Sequence, residues 1–259
     1  MADFLDTLAQ SAKETIDSGY YEALTETATP CISLKKAILE AKTAPVITEI
    51  KAASPSAGTI RENIEARSIA ESMEKGGAVG ISVLTEPKHF NGSLRSLVEA
   101  RRTVKLPILM KDIILSPVQL EAASKLGANV VLLIVALFDK GYCEYSMNAM
   151  IATAHSKGLE VLLETHTAEE FRVAVGTHAD LVGINNRNLA TLKVDLNVTK
   201  QILEQNGAEG KIVVSESGVS TPADVRFLRE CGAQAFLVGS AVMLAGNVEE
   251  KVKEFVSAL

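Results

Sequence analysis

From Pro45 onward the chain alternates between short runs of apolar, often β-branched residues and longer amphipathic segments. Eight of these runs have the length and composition of buried strands. They are residues 46–51, 79–84, 108–111, 130–135, 160–164, 181–185, 212–216 and 235–238. Repeated strand-then-helix order predicts parallel strands joined by right-handed crossovers, and eight such units close a barrel. The sequence therefore predicts an α/β fold, a (β/α)8 TIM barrel.

Helix signals between the runs support this prediction. Ser116, Pro117 and Gly127 mark the start and end of one helix, and Thr221, Pro222 and Gly232 repeat that arrangement. Leu94, Leu97 and Val98 share one helical face, with Arg101 expected as a charged flank. An open doubly wound sheet is the structural alternative, but no Gly-rich dinucleotide motif follows the first run.

The residues before the first run are predicted to form one or two additional helices. Phe4, Leu5 and Leu8 lie on one side of the first of them. A length of 259 residues is close to that of a single eightfold barrel. We therefore expect an N-terminal helical extension at 1–44 and a barrel catalytic domain at 45–259.

Charge and hydropathy limit the classes of partner. The formal net charge is −6 and neither sign forms a long run, which argues against nucleic acid. The longest apolar stretch, from Val130 to Phe138, is shorter than the roughly 20 residues that span a bilayer. The first ten residues lack the order of a signal peptide. We expect a cytoplasmic protein, a monomer or weak homodimer, without a membrane partner.

The cysteines and histidines do not predict a metal site. The three cysteines are odd in number and far apart, and the four histidines lack the i, i+4 spacing of a helical metal pair. The cysteines are Cys31, Cys143 and Cys231. We interpret them as packed or surface thiols and expect no bound metal.

Charged and amide side chains stand at the ends of five predicted strands. In a parallel barrel these ends surround the active site. Strand alternation places Glu49 and Lys51 on the same inward face. A structural ion pair is the alternative for these two, but polar groups converging from five strands favour a functional site. The candidates are Glu49, Lys51, Lys111, Glu164, Asn185 and Glu216.

Small residues follow the seventh and eighth runs. Ser217 and Gly218 come after one, and Gly239 and Ser240 after the other. Such loops, next to a short helix N-terminus, are the recurrent phosphate site of these barrels, since open amide groups and the helix dipole favour an anion. Ordinary turns are the alternative for either loop alone.

With these residues in place, the chain resembles the indole-3-glycerol-phosphate synthase family over nearly its whole length. The most specific match is the segment EIKAASPS at 49–56. The others are KHFNG at 88–92, LMKD at 109–112, LE at 163–164, GINNR at 183–187 and SESG at 215–218, all in the family's order. Two departures are Ile113, where many members carry Phe, and the absence of Trp.

The resemblance implies a barrel lyase of tryptophan biosynthesis that needs no external cofactor. Its substrate would be 1-(2-carboxyphenylamino)-1-deoxyribulose 5-phosphate, converted to indole-3-glycerol phosphate by ring closure, decarboxylation and dehydration. The implied catalytic residues are Lys111, Lys51, Glu164, Glu49, Asn185, Glu216 and Ser217. Those implied to bind substrate or phosphate are Ser54, Gly218, Gly239 and Ser240, with Arg187 orienting the loop after the sixth strand. Phe90, Leu133 and Leu189 would form the apolar wall.

The resemblance also implies a division of roles. Lys111 would act as general acid near the ketone oxygen and Glu164 as the base in dehydration, with Lys51 as second acid tuned by Glu49. Glu216 and Asn185 would orient substrate and lysines. Which lysine acts in which step stays open. The alternatives are a phosphoribosyl isomerase, which would need Cys or paired Asp residues at strand ends, and a catalytically silent barrel.

Overall fold

The eight predicted runs are the strands of one closed parallel barrel. The computed structural model describes residues 3–22, 32–54, 58–59, 65–208 and 210–259. Each strand pairs in parallel with its neighbours in sequence, and the last pairs with the first. The strands are β1 (Val46–Ile50), β2 (Gly80–Leu84), β3 (Ile108–Lys111), β4 (Val130–Ile134), β5 (Glu160–Thr165), β6 (Leu181–Asn185), β7 (Ile212–Glu216) and β8 (Ala235–Val238). The predicted (β/α)8 TIM barrel is confirmed, with every strand boundary within one residue.

Helices precede and follow the strands. They are α1 (Phe4–Asp17), α2 (Leu34–Glu40), α3 (Ala66–Lys75), α4 (Leu94–Thr103), α5 (Pro117–Leu126), α6 (Val135–Asp139), α7 (Met147–Ser156), α8 (Ala168–Val175), α9 (Asn197–Asn206), α10 (Pro222–Glu230), α11 (Ser240–Met243) and α12 (Val248–Val256). A 3-10 turn follows α1 at Tyr20–Glu22. No helix among the described residues has the length and apolar character needed to cross a membrane.

Local capping chemistry sets several of these helix boundaries. The Ser116 side chain accepts from the amide of Val118, Pro117 is the first residue of α5, and Gly127 ends it with φ 94°. In that left-handed conformation glycine avoids a steric penalty at Cβ. Thr221 and Pro222 start α10 in the same way. The C-cap of α10 is Cys231, and the predicted Gly232 follows it with φ 105°. The predicted helix starts are therefore confirmed, and the second glycine lies one residue beyond the cap.

Arg101 differs from its prediction. It is buried instead of forming a charged flank, at 5% exposure. Its guanidinium donates to the carbonyl of Leu106 and to Oδ1 of Asn129, each at 3.0 Å. These hydrogen bonds compensate for burial of the charge, so its apolar stem can pack with the face predicted for α4.

The two extension helices lie near opposite ends of the barrel. Leu5 and Leu8 of α1 line the cavity at the C-terminal mouth. At the other end, the Glu160 carboxylate, at the start of β5, accepts from the backbone amide of Leu34 in α2 at 2.8 Å. Apolar residues of both helices form one cluster with the barrel interior. The helices therefore extend the core along the barrel axis.

A short antiparallel strand pair, the hairpin segment, follows β1 and joins Ala53–Ser54 with Gly58–Thr59. It carries part of the segment that gives the most specific family resemblance. Pro55 and Ser56 of that segment lie outside the described residues, as does Cys31.

Candidate active site

Two lysines and two glutamates form an ion-pair network at the barrel mouth. Lys111, the last residue of β3, places Nζ 2.9 Å from Oε2 of Glu216 and 3.5 Å from Oε2 of Glu49. Lys51 places Nζ 2.9 Å from the other Glu49 oxygen, Oε1. Glu49 therefore bridges both lysines, and it points inward as strand alternation predicts.

Glu164 and Asn185 lie beside this network at the ends of β5 and β6. The Asn185 amide donates to Oε1 of Glu164 at 3.0 Å, and its Oδ1 accepts from the backbone amide of Arg187 at 3.0 Å. Both side chains line the same cavity as Glu49, Lys51 and Lys111. Five of the six predicted strand-end residues thus surround one space, and Glu216 is fully buried and reaches it only through Lys111.

Electrostatics keep the Lys111 ammonium protonated. Burial alone would lower the pKa of Lys111, but three neighbouring carboxylates outweigh burial and raise the pKa well above its ordinary value. The carboxylates belong to Glu216, Glu49 and Glu164. Burial disfavours the charged form of Glu49 too, yet the Lys51 and Lys111 ammonium groups hold its pKa below the ordinary value.

The pKa of Glu216 shifts in the opposite direction from that of Glu49. Burial, together with the nearby negative charges of Glu164 and Glu49, outweighs Lys111 and raises the pKa of Glu216 to about 7. Its Oε1 is buried without a hydrogen-bond partner among the described residues. A Cβ on Gly183 would collide with this oxygen. The missing side chain at Gly183 therefore makes the room that Glu216 occupies.

His166 is a site residue that the sequence interpretation missed. Its Nε2 lies 3.2 Å from Oε1 of Glu164, and its ring is largely buried. Burial disfavours the charged form of Glu164, but the contact with His166 contributes most to lowering the pKa of Glu164 to about 2. The signal was present, because His166 stands two residues after Glu164, and side chains at that spacing share one face of a strand.

The loops after β7 and β8 bring small residues to the mouth. Ser217, which lines the cavity, and Gly218 adopt φ of 65° and 88°. Gly239 caps α11, whose first residue is Ser240. A Cβ on Gly239 would lie 2.6 Å from Oε1 of Glu49 and 2.9 Å from Nζ of Lys51. The β8 loop therefore directly adjoins the ion-pair network.

Arg187 lines the main cavity and also contacts its own loop. The Arg187 guanidinium donates from Nη1 to the carbonyl of Leu192 at 3.0 Å, and an isolated antiparallel bridge joins Arg187 to Val194. These contacts hold the loop after β6. Ser54 lies in the hairpin segment after β1, and its side chain is outside the described part of the structure.

The other titratable groups do not add a metal centre. Cys143 and Cys231 are free, half-buried thiols. In the described ranges, no group of three or more His, Cys, Asp or Glu side chains is arranged to hold a metal ion.

Comparison with known proteins identifies the family. A family model described as indole-3-glycerol phosphate synthase matches residues 5–255. The chain belongs to the indole-3-glycerol phosphate synthase family. Curated relatives of that name include one from Methanocaldococcus jannaschii, 44% identical over 87% of this chain and 83% of its own. Another, from Aromatoleum aromaticum, is 46% identical over 80% of this chain and 78% of its own.

Solved structures support the fold. The N-acetylmannosamine-6-phosphate 2-epimerase from Clostridium perfringens aligns with TM-score 0.62 at 15% identity, covering 83% of this chain and 93% of its own. Thiamine phosphate pyrophosphorylase from Pyrococcus furiosus aligns with TM-score 0.60 at 18% identity, covering 87% and 97%. At such identities the likeness concerns the barrel alone.

For Leu133, the family resemblance implied a place in the apolar wall of the cavity, and this prediction is wrong. Phe90 and Leu189 line the cavity, but Leu133 does not. Leu133 points outward and packs in the layer between barrel and helices. The cavity is lined instead by Leu132 and Ile134, because alternate residues of β4 face the barrel interior.

Further apolar lining residues come from outside the strands. Phe4, Leu5 and Leu8 of α1 cover the cavity, and Ile113 lines it after β3. Ile113 is one of the departures from the family pattern, so an aliphatic side chain occupies a wall position here. The sequence placed the three α1 residues on one helical face but did not indicate that this face contributes to the cavity.

Proposed function

We propose that this protein converts 1-(2-carboxyphenylamino)-1-deoxyribulose 5-phosphate to indole-3-glycerol phosphate, a step of tryptophan biosynthesis. Membership of the family across residues 5–255 supports this reaction. The observation that carries the proposal is the Lys111 ammonium, held among carboxylates beside a cavity that both polar and apolar side chains line. Such a group suits a reaction in which negative charge develops on a substrate oxygen.

In ring closure, the substrate's aromatic carbon attacks its ketone and an alkoxide forms. The Lys111 ammonium stabilises that oxygen and supplies its proton. Because its neighbours raise the pKa of Lys111, the ammonium holds its proton firmly, and electrostatic stabilisation is the larger part of its action.

Decarboxylation follows from the iminium that ring closure creates within the substrate. This iminium is the electron sink, so the protein supplies only an environment. Leu132 and Ile134 provide apolar lining, which disfavours a carboxylate relative to neutral carbon dioxide. Phe90 and Leu189 extend that apolar surface along the aromatic ring.

Dehydration requires a base for the ring proton and an acid for the departing hydroxyl. Glu164 is the proposed base, and the depressed pKa of its carboxyl keeps it ionised. Lys51 is the proposed second acid, and Glu49 tunes it through the 2.9 Å ion pair. Asn185 holds the Glu164 carboxylate in place by its 3.0 Å hydrogen bond. Glu216 orients Lys111.

The substrate phosphate is proposed to bind between the loops after β7 and β8. Ser217 and Gly218 form one side, and Gly239 and Ser240 the other. The first amide groups of a helix have no partner within it and point toward a bound anion, as those of α11 would here. Ser54 is proposed to bind the substrate as well. The Lys51 ammonium, next to Gly239, adds positive charge.

We propose that the extension at 1–44 and the barrel at 45–259 act as one catalytic unit, because α1 contributes to the cavity wall. The unit is proposed to be cytoplasmic, a monomer or weak homodimer, without nucleic-acid or membrane partners and without a metal or external cofactor. The net charge of −6 supports the absence of a nucleic-acid partner. Size-exclusion chromatography with light scattering tests the oligomeric state.

Turnover of the named substrate tests the function. Purified protein with EDTA, and without nucleotide, is expected to produce indole fluorescence. The chain has no Trp, so the protein background is low. Lack of turnover, both with EDTA and with added divalent metal, would contradict the proposal.

A further inference from the structure

His166 connects the proposed base to a helix outside the barrel. Its Nε2 lies 3.2 Å from Oε1 of Glu164, and its Nδ1 lies 3.5 Å from Oε2 of Glu170 on α8. The same Glu170 oxygen accepts from the His166 backbone amide at 2.7 Å. The backbone of Glu170 belongs to the first turn of α8, where its amide donates to Oγ1 of the N-cap residue Thr167. Neither ring nitrogen makes a hydrogen bond with good geometry among the described residues, so the two contacts are ion pairs that place the ring between the Glu164 and Glu170 carboxylates.

A second cavity lies on the other side of the His166 ring. It has a volume of about 270 Å³ and is lined by His166, Glu170 and Lys140, among others. It shares Asn185 and Leu189 with the main cavity. The imidazole therefore stands between the Glu164 carboxylate and a space large enough for water molecules or a small organic molecule.

We propose that His166 is a positioning residue for Glu164, an imidazolium that keeps the carboxylate ionised and oriented while Glu170 holds the ring in place. This inference rests on the proposed function, since it deepens the role of Glu164 as base. In this arrangement, solvent reaches the imidazole through the second cavity.

The charges around the pair favour this arrangement. Burial disfavours the imidazolium, but contacts with Glu164 and Glu170 outweigh it and raise the pKa of His166 to about 9. The ring is therefore cationic at neutral pH, next to a carboxylate that must stay ionised. The charged and polar groups that face Glu164 are His166, Lys111, Asn185 and Glu216. Those that face His166 are Glu164 and Glu170 and, across the second cavity, Lys140, Arg187 and Asp3.

The proposal predicts a specific pH dependence. Without the imidazolium, the pKa of Glu164 rises toward the value that burial favours, so the acid limb of kcat/KM moves to higher pH. Below that limb the rate falls about tenfold per pH unit, since only the ionised base acts. Above about pH 9 the wild-type imidazolium is itself lost. There the wild type and the variant converge.

The experiment compares kcat/KM of the wild type and His166→Gln between pH 5.5 and pH 10. The ratio of wild type to variant is expected to be at least about tenfold larger at pH 5.5 than at pH 9. Because the negative charge of Glu164 raises the pKa of Glu216, the same ratio is also measured in a Glu216→Gln background, where this second titration is absent. His155→Gln is the matched control. His155 lies on α7, pairs with Asp180 and lines neither cavity, so its ratio is expected to stay near one.

Two further variants separate positioning from general structural damage. Glu170→Gln keeps the imidazole but removes its rear carboxylate, so a smaller shift of the acid limb in the same direction is expected. In His166→Ala, added imidazole is expected to restore activity through the second cavity.

A ratio of wild-type to variant kcat/KM that is independent of pH in all variants, without rescue by imidazole, would assign His166 a packing role only and overturn the proposal. If the wild type lacks turnover, the proposed function fails as well. A flat ratio with an active wild type overturns only the present inference.

Discussion

At the scale of single residues, Lys111 combines a catalytic position with a structural contact. It ends β3 facing the cavity, and its ammonium also neutralises Glu216 and Glu49 from two other strands. Removing one partner of a buried ion pair costs about 3 to 5 kcal/mol. Loss of stability alone therefore does not separate the two roles.

Lys111→Met is expected to lower kcat by about 10²- to 10⁴-fold, or roughly 3 to 5 kcal/mol of barrier, with little change in KM. Its Tm is also expected to fall, because Glu216 loses its cation. The double variant Lys111→Met/Glu216→Gln removes both charges and is expected to recover Tm without recovering kcat. Steady-state kinetics and thermal melts of the three proteins test this. Recovery of kcat together with Tm would show that Lys111 has only a structural role.

The polar residues of the site could be predicted from their place in the chain. Glu49 and Lys111 stand at strand ends, and in a parallel barrel that position alone brings them to the mouth. The expectation that Leu133 lines the cavity is wrong because Leu133 lies on the outward face of β4. The alternation that placed Glu49 inward also places Leu132 inward. The unpartnered oxygen of Glu216 depends on its contact with Gly183 across strands, which no local pattern encodes.

At the scale of secondary-structure elements, the strands were predictable and the position of α1 was not. Buried parallel strands are continuous apolar runs, which explains why their boundaries were accurate. The amphipathic pattern of α1 indicates an apolar face but does not say which surface that face covers. Its position depends on residues far along the chain, since its apolar face packs with the barrel interior and Lys140 lies 2.7 Å from Asp3 and 2.6 Å from Asp6.

The short helix α11 gives a test of the phosphate site at this scale. Gly239 is unsuitable for substitution, because a Cβ there would also disturb Glu49 and Lys51. Ser240→Asp places a carboxylate at the first residue of α11, where the helix dipole tolerates it but a substrate phosphate is repelled. KM is expected to rise at least about tenfold, and weak competitive inhibition by inorganic phosphate to disappear.

The control for this variant is Asn247→Asp, which adds the same charge at the N-cap of α12. Residues of α12 line neither of the two cavities described above. Its KM is expected to match the wild type. Equal effects of the two variants would place the phosphate elsewhere.

At the scale of the whole molecule, the apolar core and the buried charged groups occupy different levels along the barrel axis. The lower barrel and the layer beneath the helices are apolar, while the mouth holds several buried charged groups. Burying charges costs free energy even when they are paired. The proposed active site is therefore expected to lower the stability of the fold.

Glu216→Gln tests this expectation through the pH dependence of stability. The folded state raises the pKa of Glu216 from 4.5 to about 7. Between these values the folded protein binds more protons than the unfolded chain, so wild-type stability falls as pH rises from about 4.5 to 7 and stays reduced above 7. Gln mimics the neutral acid and avoids this loss. The variant is expected to be more stable by about 1 to 3 kcal/mol at pH 8, an advantage that disappears below about pH 5. Its kcat is expected to fall, because Lys111 loses an orienting carboxylate. Denaturant melts at pH 5 and pH 8 provide the measurement, and a less stable variant at pH 8 would mean that the pair with Lys111 outweighs the cost of burial.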